Sequence, residues 1–428
     1  MSLTPARLVR VLAASLGELD PGARVASALP KAPPKGARAC VVAIGKSSLA
    51  MALGAVSRWG AAVDRLVVVA PRGSNAAPLR AACRREGITA RTAILTAAHP
   101  VPDASSVRAA RACLAAVSRG DRAFVLVLVS GGASSLAALP APGLTLARKR
   151  AVMKELLRSG APIQAMNLVR QHLSAIKGGR LAAAALPSPV LTLVVSDVLD
   201  GDASVVGSGP SLPGRRRERE ARGVLRRYAP AFAGVPLSPP PDLARGATIR
   251  GRVVVAPEEL AQAYARRLRA SGVRVRVLPP AQASVEELAL EYVALASDRG
   301  REPIVFVRSA EPSVVVNGAA VRAGRGGRST HLAALVGRAL AGVRARATFA
   351  AFASDGVDGT SGTAGAIVSN GFAARAERLL GSGAVDRALA RFDTGTLHRT
   401  VGTALASAPS GHNLADLHVL LVRARTPR

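Results

Sequence analysis

The stretch Phe124 to Ser135, FVLVLVSGGASS, sets the reading of this chain. Its six consecutive apolar residues, Phe124 to Val129, describe a strand buried on both faces, as in parallel sheets covered by helices. The run then breaks into Ser-Gly-Gly-Ala-Ser-Ser, a turn with so little side-chain bulk that backbone N–H groups can close around an anion. A buried strand that releases a bare loop at its carboxyl end is where open α/β sheets bind ligands. The junction recurs. Ala39 to Ile44 leads into Gly45-Lys46-Ser47-Ser48, and Val190 to Val195 into Ser196-Asp197, then Gly201 and Gly207-Ser208-Gly209-Pro210. Thr348 to Ala353 leads into Ser354-Asp355-Gly356-Val357-Asp358-Gly359.

Composition bounds what such loops can serve. With 428 residues, 49% hydrophobic, 20% charged and 3% aromatic, the chain is expected to fold into two or three domains with cores of Ala, Val and Leu. No apolar run reaches membrane-spanning length. The N-terminal segment reads as a helix, capped by Thr4 with Pro5 in its first turn and Leu8, Val9, Leu12 and Leu16 on one face, rather than as a secretory signal. The net charge of +31 suggests nucleic acid, yet only six lysines occur and the arginines are scattered. No basic block is interleaved with stacking aromatics, so nucleic-acid and membrane partners are set aside and small anionic substrates are favoured. Cys40, Cys83 and Cys113 show no metal or redox spacing, and the six histidines show no HExxH, which fits a reducing cytoplasm without a structural metal. The oligomeric state stays open, a homo-oligomer included.

Strand runs at Ala39–Ile44, Leu66–Val69, Thr92–Leu95, Phe124–Val129 and Val190–Val195 alternate with helical patterns at 47–56, 105–118, 145–159 and 161–176. Such alternation predicts an α/β fold: a doubly wound parallel sheet of Rossmann-like type over residues 1–212. Residues 213–250, rich in Pro and Arg, read as a connector around one helix. Residues 251–428 read as a smaller α/β domain with a mixed sheet. Its expected strands are Arg252–Val255, Val273–Val277, Ile304–Val307, Thr348–Ala353 and Val419–Val422, with helices at 330–343 and 370–379. A hairpin from Ser313–Val316 to Ala319–Arg322 would turn at Asn317-Gly318. The chain can cross between the two domains more than once.

Gly45-Lys46-Ser47 resembles the end of a Walker A loop, but that motif needs Gly five residues earlier, where Cys40 stands. What remains is a lysine between a strand end and a helix start, a geometry that favours an anion. Asp197, Asp200 and Asp202 on one loop, and Asp355 and Asp358 on another, could bind Mg²⁺ beside phosphates or accept a hydroxyl proton; each alone is also ordinary turn chemistry. Gly324-Arg325-Gly326-Gly327-Arg328-Ser329-Thr330 opens a helix with bare backbone and guanidinium groups suited to carboxylate or phosphate oxygens. His99, in the stiff His99-Pro100-Val101-Pro102-Asp103 loop, reads as structural. Bare loops, a helix-start lysine, aspartates and glycine-flanked arginines together point to phosphoryl transfer.

The order of these motifs is specific. AIGKSS at 43–48, HPVPDASS at 99–106, VSGGASS at 129–135, LPAPGLTL at 139–146 and NLVRQHLSAIKGGRLA at 167–182 lead into SDV at 196–198 and GSGPSLP at 207–213. GRGGRS at 324–329, SDGVDGTSGTAGAIV at 354–368 and PSGHNLADL at 409–417 follow. In this order the chain resembles the bacterial-type glycerate 2-kinase family, whose C-terminal part is the MOFRL domain. The resemblance implies ATP-dependent phosphorylation of D-glycerate at its 2-hydroxyl, with Mg²⁺, and catalytic roles for Lys46 and Arg328. It further implies substrate or phosphate binding by Ser130, Gly131, Gly132, Ala133, Ser134, Arg170, Lys177, Gly327 and Asp355. Asp197 is the candidate for the metal or for the hydroxyl proton.

The chain also departs from that pattern. Where the family shows Ser-Gly-Gly-Glu, it has Arg308-Ser309-Ala310-Glu311; where Asn-x-Glu-Leu follows Gly-Gly-Arg, it has Ser329-Thr330-His331-Leu332. Ala256-Pro257-Glu258 stands where an Asn is usual. Two lost glycines are expected to add bulk where backbone approaches a ligand, and His331 to deprive Arg328 of an acidic partner. A hydroxypyruvate reductase would act on a near relative of the same substrate, but no G-x-G-x-x-G follows a strand. A non-catalytic or altered-substrate homologue is the reading the substituted loops suggest.

Overall fold

The computed structural model describes residues 4–118, 124–199, 202–243, 248–297, 302–315, 324–407, 410–411 and 414–423. The hairpin expected at Asn317-Gly318 lies almost wholly outside them, as does Asp200. The chain divides into two compact units: Asp20–Val255, and residues up to Leu19 together with those from Ala256 onward.

In the first unit six strands form one parallel sheet in the order β3-β2-β1-β4-β5-β6. They are β1 Ala39–Ile44, β2 Val63–Pro71, β3 Thr92–Ala97, β4 Phe124–Ser130, β5 Val190–Val195 and β6 Ile249–Val255. Every residue of β1 and β4 is buried, which is why both read as unbroken apolar runs. Cys40, Val42 and Ile44 join Val125, Val127 and Val129 in a core with the helix Ala104–Val117, while the helix Ser48–Trp59 packs on the sheet through β1 and β2. A third group of helices, Leu146–Arg158, Ile163–His172 and Glu218–Tyr228, shares its own core around Val152, Leu156, Val169 and Leu225. The segment expected to be a connector therefore belongs to the first unit. So does β6, read from sequence as the opening strand of the second domain. It is an edge strand with exposed Arg250 and Arg252, so its pattern does not declare which sheet it joins.

In the second unit the sheet is mixed, in the order β11-β10-β9-β12-β8-β7. Its strands are β7 Val275–Val277, β8 Ile304–Ala310, β9 Arg346–Phe352, β10 Thr363–Ser369, β11 Ala404–Ala406 and β12 Asp416–Arg423. Only β7 and β8 pair parallel; the other pairs are antiparallel. Sequence reading missed β10 and β11. The first helix, Pro5–Glu18 with Thr4 as its cap, also belongs here: the Tyr264 hydroxyl donates to the Leu8 carbonyl at 3.1 Å and Glu18 pairs with Arg266 and Arg267.

Candidate active site

β1 and β4 are neighbours from which the strand order runs outward in both directions, so their carboxyl ends flank the topological switch point of the first sheet. The two loops released there are stitched together. Lys46 N donates to the Gly131 carbonyl at 2.9 Å, and Ser47 N to the buried Ser130 hydroxyl at 3.0 Å. Gly45 permits this approach: a Cβ there would lie 2.1 Å from Ser130 Oγ. Lys46 is half-buried, just ahead of the helix Ser48–Trp59. Gly132 has φ +83°, and its absent side chain leaves room for two neighbours. An added Cβ would stand 3.1 Å from the His99 ring and 3.2 Å from Lys46 Cγ. His99, which read as structural, is thus part of the loop constellation; the signal was its place directly after β3, on the same sheet edge.

Behind the Ser-Gly-Gly loop lies a group of buried cations. Lys177 Nζ donates to Ser134 Oγ and to the Gly207 carbonyl, both at 3.0 Å, and so ties the loop after β4 to the loop after β5. Lys149 Nζ donates to the Leu139 carbonyl at 3.2 Å, and Arg170 to Asn167 Oδ1 at 3.0 Å. Burial pushes the Lys149 ammonium down to about 7, with Arg180 and Arg170 adding repulsion. Burial, then Lys149 and Arg170, holds Lys177 well below the ordinary lysine range, and burial also lowers Arg170. Among the described residues no carboxylate pairs with Lys149, Arg170 or Lys177. Positive charge gathered without counter-ions makes a site for an anion.

Asp197 is half-buried just past β5. Asp202 is exposed, and its Oδ1 accepts from Ser204 N at 2.8 Å, an ordinary Asx turn. Among the described residues no group of three or more His, Cys, Asp or Glu is arranged to hold a metal ion. A magnesium ion that arrives with a nucleotide needs only one or two protein carboxylates besides the phosphates, and Asp197 can supply one.

The Gly-Gly-Arg motif belongs to the second unit. Arg328 opens the helix Arg328–Ala339, where its Nε and Nη2 donate to Asp416 at 2.7 and 3.0 Å. Its Nη1 and Nη2 also donate to Glu311. His331 supplies no carboxylate to Arg328, as expected from the sequence, but two other acidic partners stand in its place. β12 pairs with β8 so that Asp416 stands opposite Ala310, and adjacent strand ends set both carboxylates side by side. They occupy four of the five guanidinium N–H groups and hold the charge firmly on, well above the ordinary range.

The bare backbone of this motif faces protein. A Cβ on Gly327 would come within 2.3 Å of the Asp358 carboxyl group. That carboxyl accepts from Ser329 N at 3.0 Å and Thr330 N at 2.9 Å and so caps the helix. Burial, then the Asp416 carboxylate, pushes Asp358 up to about 6. Asp355 is half-buried with its Oδ1 accepting from Val357 N at 3.0 Å. Of the expected residues, the structure thus brings together Lys46, Ser130, Gly131 and Gly132, and then Ser134 with Lys177. Ala133 is buried in the short helix between them. Arg328, Gly327 and Asp355 lie in the other unit.

Residues 7–235 match the family described as a domain of unknown function, DUF4147, and residues 304–416 match the MOFRL family. A protein of Agrobacterium vitis that carries the provisional name hydroxypyruvate reductase is 34% identical over 97% of this chain and 94% of its own length. The D-glycerate 2-kinase of Thermotoga maritima is 34% identical over 45% of this chain and 44% of its own. The crystal structure of a glycerate kinase from Thermotoga maritima superposes with a TM-score of 0.77 at 26% identity, covering 97% of this chain and 98% of that one. The chain belongs to the glycerate kinase family with a MOFRL domain.

Within that family, its substituted segment 308–311, at the end of β8, is absorbed by the protein interior. Arg308 is bidentate to Glu291, at 2.6 and 2.5 Å, and lies over the Tyr292 ring. The Ser309 hydroxyl donates to the Pro257 carbonyl at 2.7 Å, linking two of the departures, and Ala310 is fully buried. The expected added bulk is packed inside the unit, and Glu311 keeps its place on Arg328.

Proposed function

We propose that the protein transfers the γ-phosphoryl group of ATP to the 2-hydroxyl of D-glycerate, giving 2-phosphoglycerate and ADP. The observation that carries this reading is Lys46 held against Gly131 and Gly132 at the sheet's switch point, on a loop whose Ser134 holds Lys177, one of a group of cations without carboxylate partners among the described residues. Phosphoryl transfer asks mainly for positioning and charge stabilisation. Lys46 supplies a cation at the phosphate, and the bare Gly131-Gly132 backbone supplies close approach. The substrate oxygen O2 bonds to the γ-phosphorus as the bond to the β–γ bridging oxygen breaks; the O2 proton leaves to a base, for which Asp197 is the candidate. Magnesium arriving with ATP would neutralise phosphate charge; Asp197 is the candidate carboxylate for it, if it does not serve as the base. Arg328, the arginine of the Gly-Gly-Arg motif in the second unit, keeps a fixed positive charge with one N–H not taken by Glu311 or Asp416.

A coupled ADP-release assay tests this. ADP formation is expected to require both D-glycerate and Mg²⁺. Lys46→Ala is expected to lower kcat by about 10²- to 10³-fold with the fold intact, the scale of one lost electrostatic stabiliser. Wild-type rates in Lys46→Ala and Arg328→Ala would remove these residues from the chemistry. The name carried by the Agrobacterium vitis relative motivates a second reading, reduction of hydroxypyruvate. It requires a dinucleotide fingerprint, and the turn after β1 reads Gly-Lys-Ser. Oxidation of NADH or NADPH by hydroxypyruvate, with no ADP release, would favour it.

A further inference from the structure

Arg170 and Lys177 are the two ends of one polar chain. Lys177 Nζ donates to Ser134 Oγ at 3.0 Å, and Ser134 Oγ lies 3.3 Å from Ser208 Oγ. The Ser208 hydroxyl donates to Asn167 Oδ1 at 3.3 Å, and Arg170 Nη1 donates to the same oxygen at 3.0 Å. Because a guanidinium has no acceptor, the Asn167 oxygen must face it, which turns the amide NH₂ outward as two more donors. The neighbouring Arg180 is spent on structure: it donates to the carbonyls of Gln171, Lys177, Ser238 and Pro239. Arg170 uses one of its five N–H groups and is only partly buried, which leaves four donors for a ligand.

We propose that Arg170 and Asn167, backed by Ser134, Ser208 and Lys177, form the subsite that binds the carboxylate of a short 2-hydroxy acid and so selects the 2-hydroxyl for phosphorylation. This rests on the phosphoryl-transfer reading of the same site. Different residues build this subsite and the phosphate cradle. The cradle is built by Lys46, Gly131 and Gly132, whereas Ser134, which holds Lys177, sits in the short helix Ala133–Leu136 that follows Gly132. In a 2-hydroxy acid the hydroxyl is on the carbon bonded to the carboxylate, so anchoring the carboxylate holds O2 two bonds from the anchored carbon, with less freedom than a 3-hydroxyl keeps. An anion here would also offset the charge of Lys149, Arg170 and Lys177, which burial disfavours and which, for the two lysines, neighbouring cations disfavour further.

The test compares wild type, Arg170→Gln and Asn167→Asp by calorimetry with D-glycerate alone, and by steady-state kinetics with D-glycerate, glyceramide and ATP. Asn167→Asp keeps the side-chain shape and places a negative charge beside the bound anion, so it carries the test if Arg170→Gln fails to fold. Each variant is expected to weaken D-glycerate, in Kd and KM, by about 30-fold or more, the loss of one charge-assisted contact. KM for ATP is expected to stay within about 3-fold, and the preference for D-glycerate over its uncharged amide to shrink. Arg170→Lys is expected to recover part of the affinity. A rise in KM for ATP with D-glycerate unchanged would assign the cations to nucleotide phosphate and overturn the proposal, as would no change in either. If wild type phosphorylates no 2-hydroxy acid, the proposed reaction fails and calorimetry alone decides: D-glycerate binding lost in Arg170→Gln upholds the subsite, and no binding removes it.

Discussion

At the scale of single residues, Gly132 is where geometry is least forgiving. Its φ of +83° costs an L side chain about 1–2 kcal/mol, and a methyl group would push on both His99 and Lys46. Gly132→Ala is therefore expected to lower kcat/KM by about 10²-fold, since misplacement of about 1 Å in a positioned group has that effect. The melting temperature should move only a few degrees. Activity within twofold of wild type would mean the turn has no part in catalysis. Lys46 and the glycines were legible because a strand-to-loop junction announces itself in sequence. Arg170 and Lys177 were named only through the family resemblance. Asn167, Ser208, Glu311 and Asp416 were not named as site residues at all. Each acquires a role only when loops far apart in sequence meet in space, as Asp416 does when β12 sets it beside the end of β8.

At the scale of elements, the helix Arg328–Ala339 and the helix, loop and strand around it hold buried titratable groups that pull stability in opposite directions. Burial lowers His398 to about 4 and His418 to about 3. These groups favour folding above their unfolded value of 6.5, and that contribution is lost as pH falls toward their folded values. Asp358 is raised to about 6, so its contribution is present at low pH and is lost as pH rises through 6. Two histidines outweigh one aspartate: acidification from pH 7 to pH 5 is expected to cost the second unit about 2 kcal/mol net. Hydrogen-exchange protection along the helix Arg328–Ala339 and β12 measures it; unchanged or greater protection at pH 5 would show the buried histidines charged in the fold. The substituted strand β8 gives a sharper contrast. Ser309→Gly removes the bond to Pro257 and adds backbone freedom, so it is expected to destabilise by about 1–2 kcal/mol while leaving kcat/KM nearly unchanged. A gain in activity would mean that Ser309 obstructs the ligand after all. The parallel strands were readable because burial on both faces makes continuous apolar runs. β10, which begins Thr-Ala-Gly, and the three-residue β11 carry too short or too glycine-marked a pattern to be told from loop.

At the scale of the whole chain, the two units do not follow the linear division that composition suggests. The first helix packs with residues beyond Ala256, through Leu8 at 1% exposure and the fully buried Tyr264. Leu8→Ala is expected to cost about 2–5 kcal/mol. The lost protection should appear in the helix Glu258–Ala270, some 250 residues away in sequence, and not in the neighbouring β1. Loosening of β1 alone would place that helix with the first unit. The alternation of strands and helices disclosed the class of fold, but an amphipathic helix at a terminus does not reveal which core its apolar face covers. The central claim is a reaction, and one measurement meets it most directly: phosphorus NMR of the product formed from ATP, Mg²⁺ and D-glycerate. The account predicts ADP with 2-phosphoglycerate as the phosphorylated acid, abolished in Lys46→Ala; phosphate on the 3-hydroxyl, or no glycerate-dependent ADP at all, would contradict it.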